Sequence, residues 1–122
     1  MKTEVLICVT CRTGVESPDQ ERPGRALFEL VQEKVFADNL ALSLRPVECM
    51  SGCATGCAVA FQAHGKQSYM FGRLSPTEDA VNQLVACALQ HQSSCDGALP
   101  WADRPPLLKG CTLARLPALL TP

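Results

Sequence analysis

Apolar residues fall in short blocks separated by polar stretches rich in proline and glycine, and the spacing within each block predicts its element. Glu4 to Val9 (Glu-Val-Leu-Ile-Cys-Val) is a short apolar, β-branched run suited to a buried strand. Arg12 to Arg22 is polar, contains Gly14 and Pro18, and predicts a loop. From Pro23, the residues Leu27, Leu30, Val31 and Val35 recur at helical spacing, with proline tolerated in the first turn and Asp38-Asn39 as the end. Leu40 to Val47 alternates, with Ser43 and Arg45 between apolar neighbours, and predicts a second strand ending at Pro46 or Val47. Ala58 to Ala63 and Ser68 to Arg73 predict a hairpin through His64-Gly65-Lys66-Gln67, Gly65 supplying the positive φ. Ser75-Pro76-Thr77-Glu78 reads as a capping box with proline at the first helical position, opening a helix along Ala80, Leu84, Val85, Ala88 and Leu89. After Gln92 the texture changes: Pro100, Pro105, Pro106, Pro117 and Pro122 surround Trp101 and scattered leucines. Residues 1–92 therefore read as one domain and residues 93–122 as an extended tail packed on it.

Strand, helix, strand, hairpin and helix, in that order, is the arrangement of an α/β, thioredoxin-like fold. Its first two strands run parallel through a right-handed crossover. Parallel strands end on the same edge of a sheet, so groups that follow each strand are brought together across a long stretch of chain.

Composition then singles out the cysteines. Eleven Lys plus Arg against twelve Asp plus Glu leave a net charge of −1, which gives no electrostatic reason to expect nucleic acid or an anionic membrane as partner. The amino terminus lacks the apolar span of a signal peptide and no run has the length of a membrane helix, so a cytoplasmic protein is expected. In that compartment thiols stay reduced. A chain of 122 residues also needs no disulfide staples, so its eight cysteines are available for metal or redox chemistry. Five of them lie in two clusters, Cys8-Val9-Thr10-Cys11 and Cys49-Met50-Ser51-Gly52-Cys53-Ala54-Thr55-Gly56-Cys57. Each cluster follows a predicted strand, and the topology lets Cys8, Cys11, Cys49 and Cys53 converge. Gly52 and Gly56 permit close backbone approach to whatever the thiols hold.

Two sets of residues carry a resemblance to known families. Ile7-Cys8-Val9, the run from Val47 through Ala60, and Tyr69-Met70-Phe71-Gly72-Arg73-Leu74 resemble the thioredoxin-like [2Fe-2S] ferredoxins over about Lys2 to Gln92. The Cys-x-x-Cys-Arg opening and the tail from Asp96-Gly97-Ala98-Leu99-Pro100 through Arg104-Pro105 and Ala114-Arg115-Leu116-Pro117 are similar, more narrowly, to a bacterial family of predicted metal-binding proteins often encoded near cobalamin-synthesis genes. The resemblance implies Cys8, Cys49 and Cys53 as three cluster ligands. The fourth ferredoxin ligand lies further beyond the first than Cys11 does, and no cysteine falls between Cys11 and Cys49. Either Cys11 takes that place, which we prefer, or Cys57 supplies the fourth thiolate. It further implies an electron-transfer or accessory role linked to cobalamin synthesis, a redox or cobalamin-pathway protein partner, and a homodimer.

The residues alone leave the metal open. Five thiolates suit a [2Fe-2S] cluster, a [4Fe-4S] cluster or one tetrahedral zinc. The Cys-x₃-Cys-x₃-Cys spacing departs from paired Cys-x₂-Cys zinc knuckles, which favours iron and sulfur. Two other functions compete: cobalt or zinc handling by the same thiols, and thiol–disulfide exchange through Cys8 and Cys11. Exchange needs a thiolate stabilised at a helix amino terminus, and the polar stretch Arg12 to Arg22 separates Cys11 from the first helix. No nucleophile–base pair, paired carboxylates or Gly-rich nucleotide loop appears, so the reading is a carrier or accessory protein rather than an enzyme. Cys87 reads as a core residue, Cys95 and Cys111 as tail thiols without ligand spacing. His64 reads as a hairpin surface residue and His91 as a last-turn residue of the second helix. Trp101, Arg104 and Arg115 are candidates for carboxylate or partner binding, against a tail that buries its leucines and leaves its arginines in water.

Overall fold

The computed structural model of the chain describes residues 2–10, 22–48, 50 and 57–120. The expected loop over 12–21, together with Cys11, Cys49, Cys53, Gly52 and Gly56, lies outside the described residues. Strand β1 (Glu4–Cys8) leads through helix α1 (Pro23–Ala37) to β2 (Ser43–Val47), then to the hairpin β3 (Cys57–Gln62) and β4 (Ser68–Leu74), and to helix α2 (Glu78–Ser93). The segment after Gln92 has more regular structure than its prolines suggested. It forms a 3₁₀ turn (Trp101–Asp103), a short helix α3 (Pro106–Lys109) and a strand β5 (Thr112–Leu116). The described strands make one sheet in the order β2-β1-β3-β4-β5. Only β1 and β2 are parallel.

Alternation along the strands divides the sheet into two faces. Val5 pairs with Phe61 and Phe61 with Tyr69, while Ile7 pairs with Val59 and Val59 with Phe71. These residues are buried with Leu27 and Val31 of α1, Leu84 and Val85 of α2, and Leu108 of α3. The intervening row, Leu6, Ala60, Met70 and Ala114, is only half-buried. Helices thus cover one face. At an edge of the sheet, β2 tolerates Pro46, whose missing N–H would break an interior ladder. That strand is shorter than its alternation predicted, because pairing starts only where the Ser43 amide reaches Thr3 O at 3.1 Å.

Helix boundaries follow local chemistry. Asn39 takes φ +51° just beyond α1; its amide donates to Phe36 O and the Leu40 amide to Val35 O, at 3.2 and 3.0 Å. That pair is the Schellman pattern, which satisfies the last carbonyls. At α2 the expected capping box shifts by two residues. Thr77, not Ser75, is the N-cap, its hydroxyl accepting from the Ala80 amide at 3.2 Å, and Pro76 precedes the helix. The third helical position is then Ala80, which has no side chain to close a reciprocal box.

His91 departs most from its expected role. It lies in the last turn of α2 but is fully buried, its Nδ1 2.7 Å from Thr3 Oγ1 and its Nε2 2.7 Å from Gln67 O. A carbonyl only accepts, so Nε2 carries the proton and Nδ1 accepts from the threonine. Burial holds the imidazole below its ordinary value, which keeps it neutral. Beside it, the buried Lys66 donates from Nζ to His91 O at 3.1 Å and Gln92 O at 2.6 Å, capping the helix. Gln92 Oε1 in turn accepts from the Thr3 amide at 2.8 Å. His64, by contrast, is exposed on the hairpin as expected.

Two expectations follow. Gly65 (φ +73°) faces open space, so Gly65→Ala should cost only the left-handed backbone strain of about 1–2 kcal/mol in chemical denaturation. Gly97 (φ +77°) is hemmed in: an added methyl would stand 2.7 Å from Lys66 Cβ and 2.9 Å from both Gln67 N and His91 Nε2. Gly97→Ala should therefore cost about 2–5 kcal/mol, and equal losses at the two sites would contradict this packing. For His91, the unfolded chain takes up a proton near pH 6.5 and the folded chain only below that. Stability of the reduced protein should therefore be full above pH 6.5 and fall as pH drops below it, with that slope flattened in His91→Gln. An unchanged slope in the variant would contradict the assignment.

Candidate metal centre

Parallel pairing sets Cys8 opposite Val47, and the ladder runs one step further as the Val9 amide donates to Val47 O at 2.9 Å. On the other side β3 runs antiparallel to β1, with Ile7 opposite Val59, so its first residue, Cys57, belongs to the same end of the sheet. The carboxyl ends of β1 and β2 and the amino end of β3 thus meet. Cys8 and Cys57 are both 2 % exposed there. The Cys8 thiol donates to Glu48 O at 3.7 Å, and its sulfur is 3.7 Å from Thr10 Oγ1.

Two features mark this end as unusual. Between Cys57 and Val59 the pairing with β4 shifts, so that Cys57 lies opposite Leu74 while Val59 lies opposite Phe71. Bulges of this kind redirect side chains and are common beside functional sites. Within it Arg73 takes φ +60°, a left-handed conformation costing a non-glycine residue about 1–2 kcal/mol. The second feature is a cleft of about 350 Å³ lined by Val9, Thr10, Arg22, Arg25 and Glu48. Arg22, the residue before α1, donates from Nη1 to Thr10 O at 3.1 Å. In sequence the stretch 12–22 separates helix from cysteines, but in space the helix start reaches the end of β1. That contact brings a guanidinium to the residue before Cys11, while Cys11 itself, whose separation from the helix the sequence suggested, lies outside the described residues.

Of the five candidate ligands, Cys8 and Cys57 are described and share this end; Cys11, Cys49 and Cys53 lie outside the described residues. Among the described residues no group of three or more His, Cys, Asp or Glu is placed to hold a metal. The chain leaves the sheet at Thr10 and Glu48 and rejoins it at Cys57, so the segments bearing the other three thiols are tethered at this end. Two buried soft donors at one end, with the Arg22 guanidinium bonded to the carbonyl of Thr10, fit a thiolate-bound cluster, whose sulfides and thiolates leave it net negative. Nothing in the sequence marked Thr10, Arg22, Arg25 or Glu48, because their importance arises only from the packing of α1 against β1.

Remaining candidates fall elsewhere. Cys87 is fully buried on α2, and burial pushes its thiol up to about 12. Burial also raises Cys111, whose carbonyl accepts from the Gly72 amide at 2.9 Å, while Cys95 is exposed. Arg104 is half-buried and its guanidinium is engaged within the chain. Its Nε donates to Leu99 O at 2.8 Å, its Nη1 to Thr112 Oγ1 at 2.9 Å, and its guanidinium lies 5.3 Å from the Tyr69 ring centre. Trp101 is exposed with Lys109 over its ring, and Arg115 is exposed. Leu99 and Leu108 are buried, whereas Leu107, Leu113, Leu116, Leu119 and Leu120 are not.

A parallel β1–β2 pair, an antiparallel hairpin beside it and helices on one face define a thioredoxin-like fold. The structure of a thioredoxin-like [2Fe-2S] ferredoxin from Aquifex aeolicus matches over 98 % of each chain with a TM-score of 0.62 at 20 % identity. The chain belongs to the family described as "Protein of unknown function (DUF1636)", whose model matches residues 5–118. No curated protein matches it. No helix among the described residues is long and apolar enough to cross a membrane.

The thiols differ in a way that alkylation reads directly. In the reduced, folded chain at pH 8, iodoacetamide should modify exposed Cys95 and leave Cys87 untouched until denaturant is added, as followed by peptide mass spectrometry. Equal rates at Cys87 and Cys95 in the folded chain would contradict the burial.

Proposed function

We propose that this chain binds a [2Fe-2S] cluster through cysteine thiolates and serves in electron transfer or as an accessory metalloprotein. Cys8, Cys49 and Cys53 are the ligands the family resemblance implies, with Cys11 as the preferred fourth and Cys57 as the alternative. The single observation that carries the reading is the convergence at one sheet end: buried Cys8 and Cys57 lie where both other cysteine-bearing segments are attached. When bound, the cluster supplies a one-electron couple whose potential depends on hydrogen bonds to sulfur and on solvent access. The chain's own part is to bury Cys8, to hold its sulfur beside Thr10, and to keep Arg22 and Arg25 near the negative charge. We place the protein in the cytoplasm as a homodimer, with a redox or cobalamin-pathway protein as its partner.

A second reading, thiol–disulfide exchange through Cys8 and Cys11, gains from the proximity of Arg22 to Thr10, since a cation and a helix start stabilise a thiolate. The burial of Cys8 weighs against it, because an exchanging thiol needs access to its partner.

Protein purified without oxygen separates these readings. Broad visible absorption with about two irons and two acid-labile sulfides per chain is expected. Cys8→Ser should abolish most of that absorption; comparing Cys11→Ser with Cys57→Ser identifies the fourth ligand by which of them loses it. A colourless chain with one bound zinc or exchangeable cobalt would overturn the carrier in favour of metal handling. Metal-free protein with a reversible Cys8–Cys11 disulfide would establish the second reading instead.

A further inference from the structure

Resting on the cluster reading, we propose that the Thr10 hydroxyl donates a hydrogen bond to the Cys8 sulfur and, held in place by Arg22, raises the reduction potential of the centre. Thr10 stands two residues beyond Cys8, and its Oγ1 lies 3.7 Å from Cys8 Sγ. While Cys8 is a thiol, its own proton goes to Glu48 O. A ligating thiolate has no proton to give. Its sulfur then only accepts, and among the described side chains the Thr10 hydroxyl is the one within hydrogen-bond reach of it. The threonine is pinned on both sides: the Val9 amide before it donates to Val47 O at 2.9 Å, and Arg22 Nη1 donates to Thr10 O at 3.1 Å.

The direction of the effect follows from charge. Reduction adds one electron to a centre that is already negative, so a donor aimed at a ligand sulfur stabilises the reduced form more than the oxidised form. The Arg22 guanidinium acts with the same sign through space and, by fixing the Thr10 carbonyl, orients the donor. Arg22 is thus a positioning residue and Thr10 the group that touches the ligand. Nothing in a Cys-x-x-Cys pattern marks its second inner position for this task; the assignment comes from Cys8, Thr10 and Arg22 lying together at the end of β1.

Redox titration of the anaerobically purified full chain tests this, with iron and sulfide measured on every sample. Thr10→Val, which keeps the shape and removes the hydroxyl, should shift the reduced-to-oxidised ratio at fixed potential about tenfold toward oxidised, a fall of about 59 mV for a one-electron couple. Thr10→Ser should hold the wild-type potential, and Arg22→Gln should move it in the same direction as the valine variant. Thr10→Ala serves as a second hydroxyl-free variant should valine disturb the turn. A fully loaded Thr10→Val or Thr10→Ala protein with the wild-type potential overturns the inference and leaves the cluster reading intact. Wild-type protein without iron and sulfide overturns both.

Discussion

The parallel pairing of β1 with β2, flanked by antiparallel β3, is the constraint on which the site depends. Only with that arrangement do the carboxyl ends of two strands and the amino end of a third meet at one place. Were β2 antiparallel to β1, the segment after Val47 would emerge at the opposite end, far from Cys8. The pairing is itself secured by burial: Val5 and Ile7 face Phe61 and Val59 across the ladder, and slipping one residue would send all four toward the open face. Hydrophobic register therefore sets the chemistry, since the same alternation that buries Ile7 fixes where Cys8 stands.

The two ends of the sheet are built differently. At the end away from Cys8, Thr3, His91, Gln92, Lys66 and Gln67 form a closed polar network that ties the start of β1, the hairpin turn and the end of α2 together. Every polar atom in such a network must be matched, because an orphaned buried donor costs about 1–3 kcal/mol. No buried side-chain polar atom among the described residues lacks a partner. At the other end, backbone regularity is given up for a bulge and a left-handed arginine. Strain of that sort persists only where surrounding structure holds it.

Much of this was legible in the chain itself. β1, α1, the hairpin and α2 follow their apolar spacing closely because each buries a face that its own period generates. The order of those elements gave the fold, and with it the shared sheet end of Cys8 and Cys57; Cys11, Cys49 and Cys53 lie outside the described residues. What stayed hidden depends on long-range partners. Pro105 and Pro106 suggested an irregular tail, yet Thr112–Leu116 finds the free edge of β4, and an edge strand needs a partner more than a propensity. His91 looked like a surface helix end, and Lys66 a turn residue, because nothing local announces that each is buried against the other's element. Arg22 and Thr10 are twelve residues and a predicted loop apart, with no pattern to join them.

A thioredoxin-like frame usually offers a redox pair at the end of its first strand, and here the same place holds buried Cys8 and Cys57, with the Arg22 guanidinium on the Thr10 carbonyl. Those additions suit a permanently held, negatively charged centre better than a thiol that must meet a partner. X-ray absorption at the iron edge of protein purified without oxygen tests that claim most directly. Iron surrounded by sulfur alone, with a second iron as near neighbour, is the expected result. A first shell of nitrogen and oxygen, or no bound iron at all, would contradict the assignment of this sheet end to an iron–sulfur cluster.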